Sequence, residues 1–98
     1  MFIIELTYKV PLEQIDANLA GHIDFLEKCY ADGHFIVSGR KIPRNGGIIL
    51  AMAESKLVLA DIIAQDPFYQ MRFADYTITE FHVSKTAGDI ASFFSVNE

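Results

Sequence analysis

Between Gly47 and Ala53 an extended chain carries Ile48, Leu50 and Met52 on one side and Ile49, Ala51 and Ala53 on the other. An antiparallel sheet with one wet face alternates apolar and polar residues, so a strand apolar on both sides has to be covered on both. The stretch from Phe2 to Tyr8 also reads as a strand. Phe2, Ile4, Leu6 and Tyr8 share one face, while Ile3 sits beside Glu5 and Thr7 on the other. A fold for this chain needs one apolar layer under its sheet and further cover over the middle of the opposite face.

The remaining segments supply the lower layer. Pro11 suits the first turn of a helix, where its missing N–H costs nothing. From Leu12 to about Ala31 the period is helical, with Leu12, Ile15, Leu19, Ile23, Leu26 and Tyr30 in one stripe and Gly33 as the C-terminal cap. Phe35 to Arg40 is a second strand, and Lys41 to Gly47 is a hairpin loop whose strongest signal is Asn45-Gly46. Ser55 caps a helix to about Gln65 that turns Val58, Leu59, Ile62 and Ile63 inward. Asp66-Pro67 ends it, because a proline pushes the preceding residue out of the α region. Asp75 to Val83 is the fourth strand, and Ile90, Phe93 and Phe94 recur at helical spacing in a short C-terminal docking helix.

The order β-α-β-β-α-β is the ferredoxin-like split βαβ arrangement. It is an α+β fold with both helices on one face of a four-stranded antiparallel sheet. In that layout the first and third strands are central, and the second and fourth, with Ser38, Arg40, Thr77 and Thr79, are edges. Ile48, Leu50 and Met52 then lie in the middle of the uncovered face. A second copy of the same chain is the simplest cover, so a homodimer through the open sheet face is expected.

The 98 residues make one domain, 1–98, with a C-terminal extension from about residue 86. A hydrophobic fraction of 51% is more than so small a core requires, which again points to a subunit interface. The net charge is −5 and the eight Lys and Arg are scattered singly, which argues against nucleic acid as a partner. No apolar run approaches the ~20 residues of a membrane span. The start Met1-Phe2-Ile3-Ile4-Glu5 lacks the basic region of a signal peptide, and the single cysteine, Cys29, forms no internal disulfide. Both favour a cytoplasmic location.

Two polar residues stand out. His22 falls between Leu19 and Leu26 toward the edge of the apolar stripe. It is either a buried histidine satisfied by a backbone carbonyl or a general base tuned by a carboxylate partner. Asp66 lies where a helix ends, a slightly unfavourable place for a carboxylate, and Asp-Pro is also a plain type I turn signature. It gains functional meaning only beside a group such as His22, which sequence spacing cannot establish. Arg40, beside Ser38 and Gly39, is either a solvated edge charge or a holder of an anionic or carbonyl group. His22, Cys29, His34 and His82 lack the spacing of metal ligands, and Cys29 reads as a small core residue. There is no G-x-S-x-G, Walker A or dinucleotide fingerprint, and Gly46-Gly47 reads as turn chemistry.

Several of these pieces together resemble the YCII-related, YciI-like family. They are the first strand, His22 followed by Phe25-Leu26, Ser38-Gly39 in the second strand, and Asp66-Pro67-Phe68 after the second helix. The similarity runs from Met1 to Val83. It implies a ferredoxin-like fold assembled as a dimeric α+β barrel, with His22 and Asp66 paired in a pocket as a catalytic dyad. Ser38, Arg40 and Phe68 are the expected substrate contacts, with a small-molecule ligand and no cofactor. Many relatives carry proline where this chain has Arg40, so the pocket rim differs here.

These readings lead to a cofactor-independent enzyme of the lyase, dehydrohalogenase or isomerase type, acting on a small cyclic or carbonyl compound. The alternative is a non-catalytic, dimeric small-molecule-binding or accessory module. A pure dimerisation scaffold is a third reading, and it needs no pocket between the first helix and the sheet.

Overall fold

The computed structural model describes residues 1–93. Phe94, expected in the C-terminal helix, lies outside them. The elements are β1 (Phe2–Tyr8), α1 (Leu12–Ala17), α2 (Leu19–Ala31), β2 (Phe35–Arg40), β3 (Gly46–Ala51), α3 (Lys56–Ile63), α4 (Pro67–Gln70), β4 (Ala74–Glu80) and a short 3₁₀ helix (Gly88–Phe93). The sheet order is β2-β3-β1-β4 with every neighbouring pair antiparallel. This is the ferredoxin-like α+β arrangement, with β1 and β3 central. Among the described residues no helix is long and apolar enough to cross a membrane.

Alternation along the central strands decides what each face carries. Phe2, Ile4 and Leu6 point to the helices and are buried with Ile49, Ala51, Phe25, Leu59 and Ile63 in one core. On the other face Ile3 lies opposite Leu50 and Thr79, and Glu5 lies between Ile48 and Thr77. Val37, 56% exposed, stands opposite Leu50 and extends the apolar area to the β2 edge. The open face is apolar from β2 to the centre and polar toward β4.

Three local features differ from the sequence reading. The first helix is broken at Asn18, whose side chain donates to the carbonyl of Gln14 at 2.9 Å and whose own N–H bonds Ile15. Short polar side chains compete in this way with the helical ladder. The break separates α1 from α2 and changes which side of α2 is buried. His22, Phe25 and Cys29 face the core, while Leu12, Ile23 and Tyr30 remain partly exposed. His22 is therefore central on the inward stripe rather than at its edge.

The second difference is Gly46, which is paired within β3 and not part of a tight turn. A Cβ there would stand 1.8 Å from the carbonyl oxygen of Leu6, so only glycine lets β1 come this close. Gly33 does serve as the helix cap expected of it. At φ 81° it lets the N–H of His34 reach back to the carbonyl of Cys29 at 2.9 Å.

The third concerns Asp66. The helix α3, capped by the Ser55 hydroxyl accepting from the N–H of Val58 at 3.1 Å, has already ended at Ile63. Asp66 opens the next element. With Pro67 at the first helical position lacking an N–H, the first free donor of α4 is that of Phe68, and Asp66 caps it. A carboxylate at a helix start satisfies orphan N–H groups, so the unfavourable setting expected for Asp66 does not arise.

Candidate active site

Asp66 is fully buried, a costly place for a carboxylate unless several donors meet it. Three do. The backbone N–H of Phe68 donates to Oδ1 at 3.0 Å, and the hydroxyl of Tyr76 donates to Oδ2 at 2.5 Å. His22 Nδ1 lies 2.9 Å from Oδ1 and 3.0 Å from Oδ2. The two residues are 44 apart in sequence and come from α2 and the start of α4, which pack together against the sheet.

This arrangement fixes the imidazole chemically. A carboxylate accepts, so the ring nitrogen facing it, Nδ1, is the donor, and in the neutral tautomer that this selects the lone pair lies on Nε2. Among the described residues no polar side-chain atom is both buried and unpartnered. Nε2 has no hydrogen-bond partner among them, and His22 is one of the residues that line the cleft. Behind the imidazole lies Phe68, with ring centroids 4.2 Å apart and planes 6° from parallel. Such stacking adds about 0.5–1.5 kcal/mol beyond area burial and leaves the histidine little freedom to tilt.

Phe68, expected as a substrate contact, is itself fully buried and touches the imidazole, not the cleft. Ser38 and Arg40 do line the cleft. Ser38 Oγ lies 2.6 Å from the hydroxyl of Tyr30. Sequence reading missed three neighbours. Tyr76 and Tyr8 occupy inward positions in the alternation of β4 and β1, a signal that places them on the helix face but names no partner. Arg44, in the β2–β3 connection, gave no signal at all. Burial first, and then the charge and hydrogen bond of Asp66, push the Tyr76 phenol well above its ordinary value, so it stays a donor. Burial likewise raises Tyr8.

The cleft has a volume of about 250 Å³ and lies between α2 and the sheet. Leu19, Ile23 and Leu26 form the helical wall, which explains why apolar residues of α2 outside the core stripe stay partly exposed. Leu6 and Ile49 form the sheet wall. A scaffold serving only to dimerise has no use for such a cleft. The candidate metal residues go elsewhere. Cys29 sits in the core with its thiol pushed up to about 11 by burial and then by Asp32, and His34 Nδ1 lies 3.2 Å from the carbonyl of Met52. Among the described residues no three His, Cys, Asp or Glu side chains converge.

The YCII-related domain matches residues 1–82 of the chain, most of its length. The chain belongs to the YCII-related family. No curated protein matches it significantly. Among solved structures, this YCII-related chain is similar to 5-chloro-2-hydroxyhydroquinone dehydrochlorinase from Burkholderia phenoliruptrix, solved in complex with 2,5-dihydroxybenzoquinone. The TM-score is 0.70 at 19% identity, over 86% of this chain and 96% of that one. At that identity the likeness is one of fold.

Proposed function

We propose that this protein is a cofactor-independent enzyme of the lyase, dehydrohalogenase or isomerase type. It acts on a small cyclic or carbonyl compound through His22 and Asp66. The observation that carries the reading is the His22 imidazole, tied at Nδ1 to a buried carboxylate, backed by Phe68 and lining an apolar cleft. Likeness in fold to a dehydrochlorinase supports it.

In this mechanism Nε2 takes a proton from carbon next to a carbonyl or a carbon–halogen bond. The C–H electron pair becomes the new π bond, and in an elimination the halide leaves with its own bonding pair. Asp66 holds the ring in the productive tautomer and offsets the positive charge that arrives with the proton. Positioned base catalysis contributes about 10²–10⁴-fold, so an electrophilic group must stabilise the developing oxyanion as well. Arg40 at the cleft is the residue suited to that task. Ser38 contributes to the same wall. The working unit is a cytoplasmic homodimer joined through the open sheet faces.

The test begins with a thermal-shift screen of small phenolic, lactone and chlorinated compounds, followed by halide release or deuterium uptake for the hits. His22→Asn should lower turnover by about 10²–10⁴-fold with fold and oligomeric state intact, and Asp66→Asn should do the same through the wrong tautomer. If His22→Asn unfolds the protein, His22 is a buried structural residue.

One observation favours the second reading, a non-catalytic binding module. Asp66 caps α4 and has three donors, as a purely structural carboxylate would. In that case ligands bind, His22→Asn leaves their affinity nearly unchanged, and no turnover is found with any of them.

A further inference from the structure

The charges around the cleft do not follow those of the chain. The protein carries a net charge of −5, yet no Asp or Glu lines the cleft, while Arg40 and Arg44 both do. Their situations differ. Arg44 is held by Asp16 of α1, Nη1 to Oδ2 at 3.3 Å and Nη2 to Oδ1 at 2.5 Å, so most of its charge is answered within the protein. Arg40 is exposed and has no ion-pair partner among the described residues. Tyr8 lines the same cleft. On β2 Arg40 follows Ser38 by two residues, so both point to the helix side of the sheet, where His22 also faces the cleft.

We propose that the cleft binds a single six-membered ring bearing an anionic oxygen, a carboxylate or an ionised phenol, with Arg40 pairing to that oxygen and the apolar walls enclosing the ring. Size agrees. An apolar cavity of about 150 Å³ holds benzene, so a cleft of about 250 Å³ takes one ring with small substituents. Chemistry agrees too. A guanidinium forms paired hydrogen bonds to a planar anion, and Leu19, Ile23 and Leu26 offer a hydrocarbon surface and no competing acid. This inference rests on the catalytic reading for its purpose, since the bound ring would be the substrate, but its test is one of binding alone.

Titration of the full chain with benzoate, its neutral isostere benzamide, acetate and 4-nitrophenolate, followed by NMR shifts of the cleft residues, separates the parts. Benzoate should bind about two- to fivefold more tightly than benzamide, the range for an exposed charge pair, and much more tightly than acetate. Arg40→Gln should erase the preference for benzoate while affinity for benzamide is kept, and Arg40→Lys should restore part of it. Whichever of benzoate and 4-nitrophenolate binds more tightly identifies the source of the anionic oxygen. Equal affinity for benzoate and benzamide, benzoate binding no better than acetate, or no benzoate binding at millimolar concentration overturns the inference. So does a preference that survives in Arg40→Gln. A preserved preference for benzoate in His22→Asn keeps the outcomes separate: the ring-anion site then stands even if no turnover is ever found.

Discussion

The hydroxyl of Tyr76 lies 2.5 Å from Asp66 Oδ2, on the side of the carboxylate that Phe68 N–H does not reach. With His22 Nδ1 near both oxygens, the carboxylate is gripped from the fourth strand, from α4 and from α2. The expected role of Tyr76 is to position His22 through Asp66. Tyr76→Phe removes one charge-assisted bond and should cost about 1.5–3 kcal/mol in chemical denaturation. If it also loosens the carboxylate, turnover should fall about tenfold with KM little changed, since substrate does not touch it. A stability loss with unchanged turnover would make Tyr76 purely structural.

Cys29 carries a pH dependence whose sign can be worked out. Its folded thiol titrates at about 11 against an ordinary 9.0, because burial disfavours the thiolate. Below about pH 9 both folded and unfolded chains hold the proton, so stability is unaffected. Between about 9 and 11 the unfolded chain loses it first, and stability falls as pH rises. The raised phenols of Tyr8 and Tyr76 add to the decline above 10.0. Thermal unfolding from pH 8 to 11 should show a falling Tm, and Cys29→Ala should flatten its first part. The same thiol should resist alkylation at neutral pH in the folded protein.

Two glycines near the cleft should respond in opposite ways. Gly46→Ala drives a Cβ into the carbonyl of Leu6 and must push β1 and β3 apart. The expected cost is about 3 kcal/mol or more, seen as a large shift in the urea midpoint. Gly39→Ala meets nothing within 4 Å and should change stability by less than about 1 kcal/mol. Similar effects at both positions would mean that the close approach of β1 to β3 is not what requires Gly46.

Ile48 tests the proposed dimer. It lies on the open face opposite Glu5, so Ile48→Lys is tolerated in a single protomer and places the new charge beside a carboxylate. In a dimer joined through that face the same lysine is buried. Sedimentation should give a dimer mass for the native chain and a monomer mass for the variant, with circular dichroism unchanged. A variant that stays dimeric would move the interface away from the open sheet.

Periodicity is a local property, and what it could establish it did. Strand period two placed Phe2, Ile4 and Leu6 inward. It also set Ile48 and Leu50 on the uncovered face, and the element order followed from where the period changed. Helix position and a helix end singled out His22 and Asp66, and the family resemblance paired them. Their contact, 44 residues apart, depends on α2 and α4 packing side by side, which no spacing encodes. The same holds for Tyr76, whose inward position was legible and whose partner was not. Local competition at Asn18 moved His22 to the centre of the buried stripe, and backbone crowding at Leu6 gave Gly46 its role. Facing direction follows from a repeat of two or 3.6 residues, whereas a hydrogen bond between elements is fixed only when the shared core brings them together.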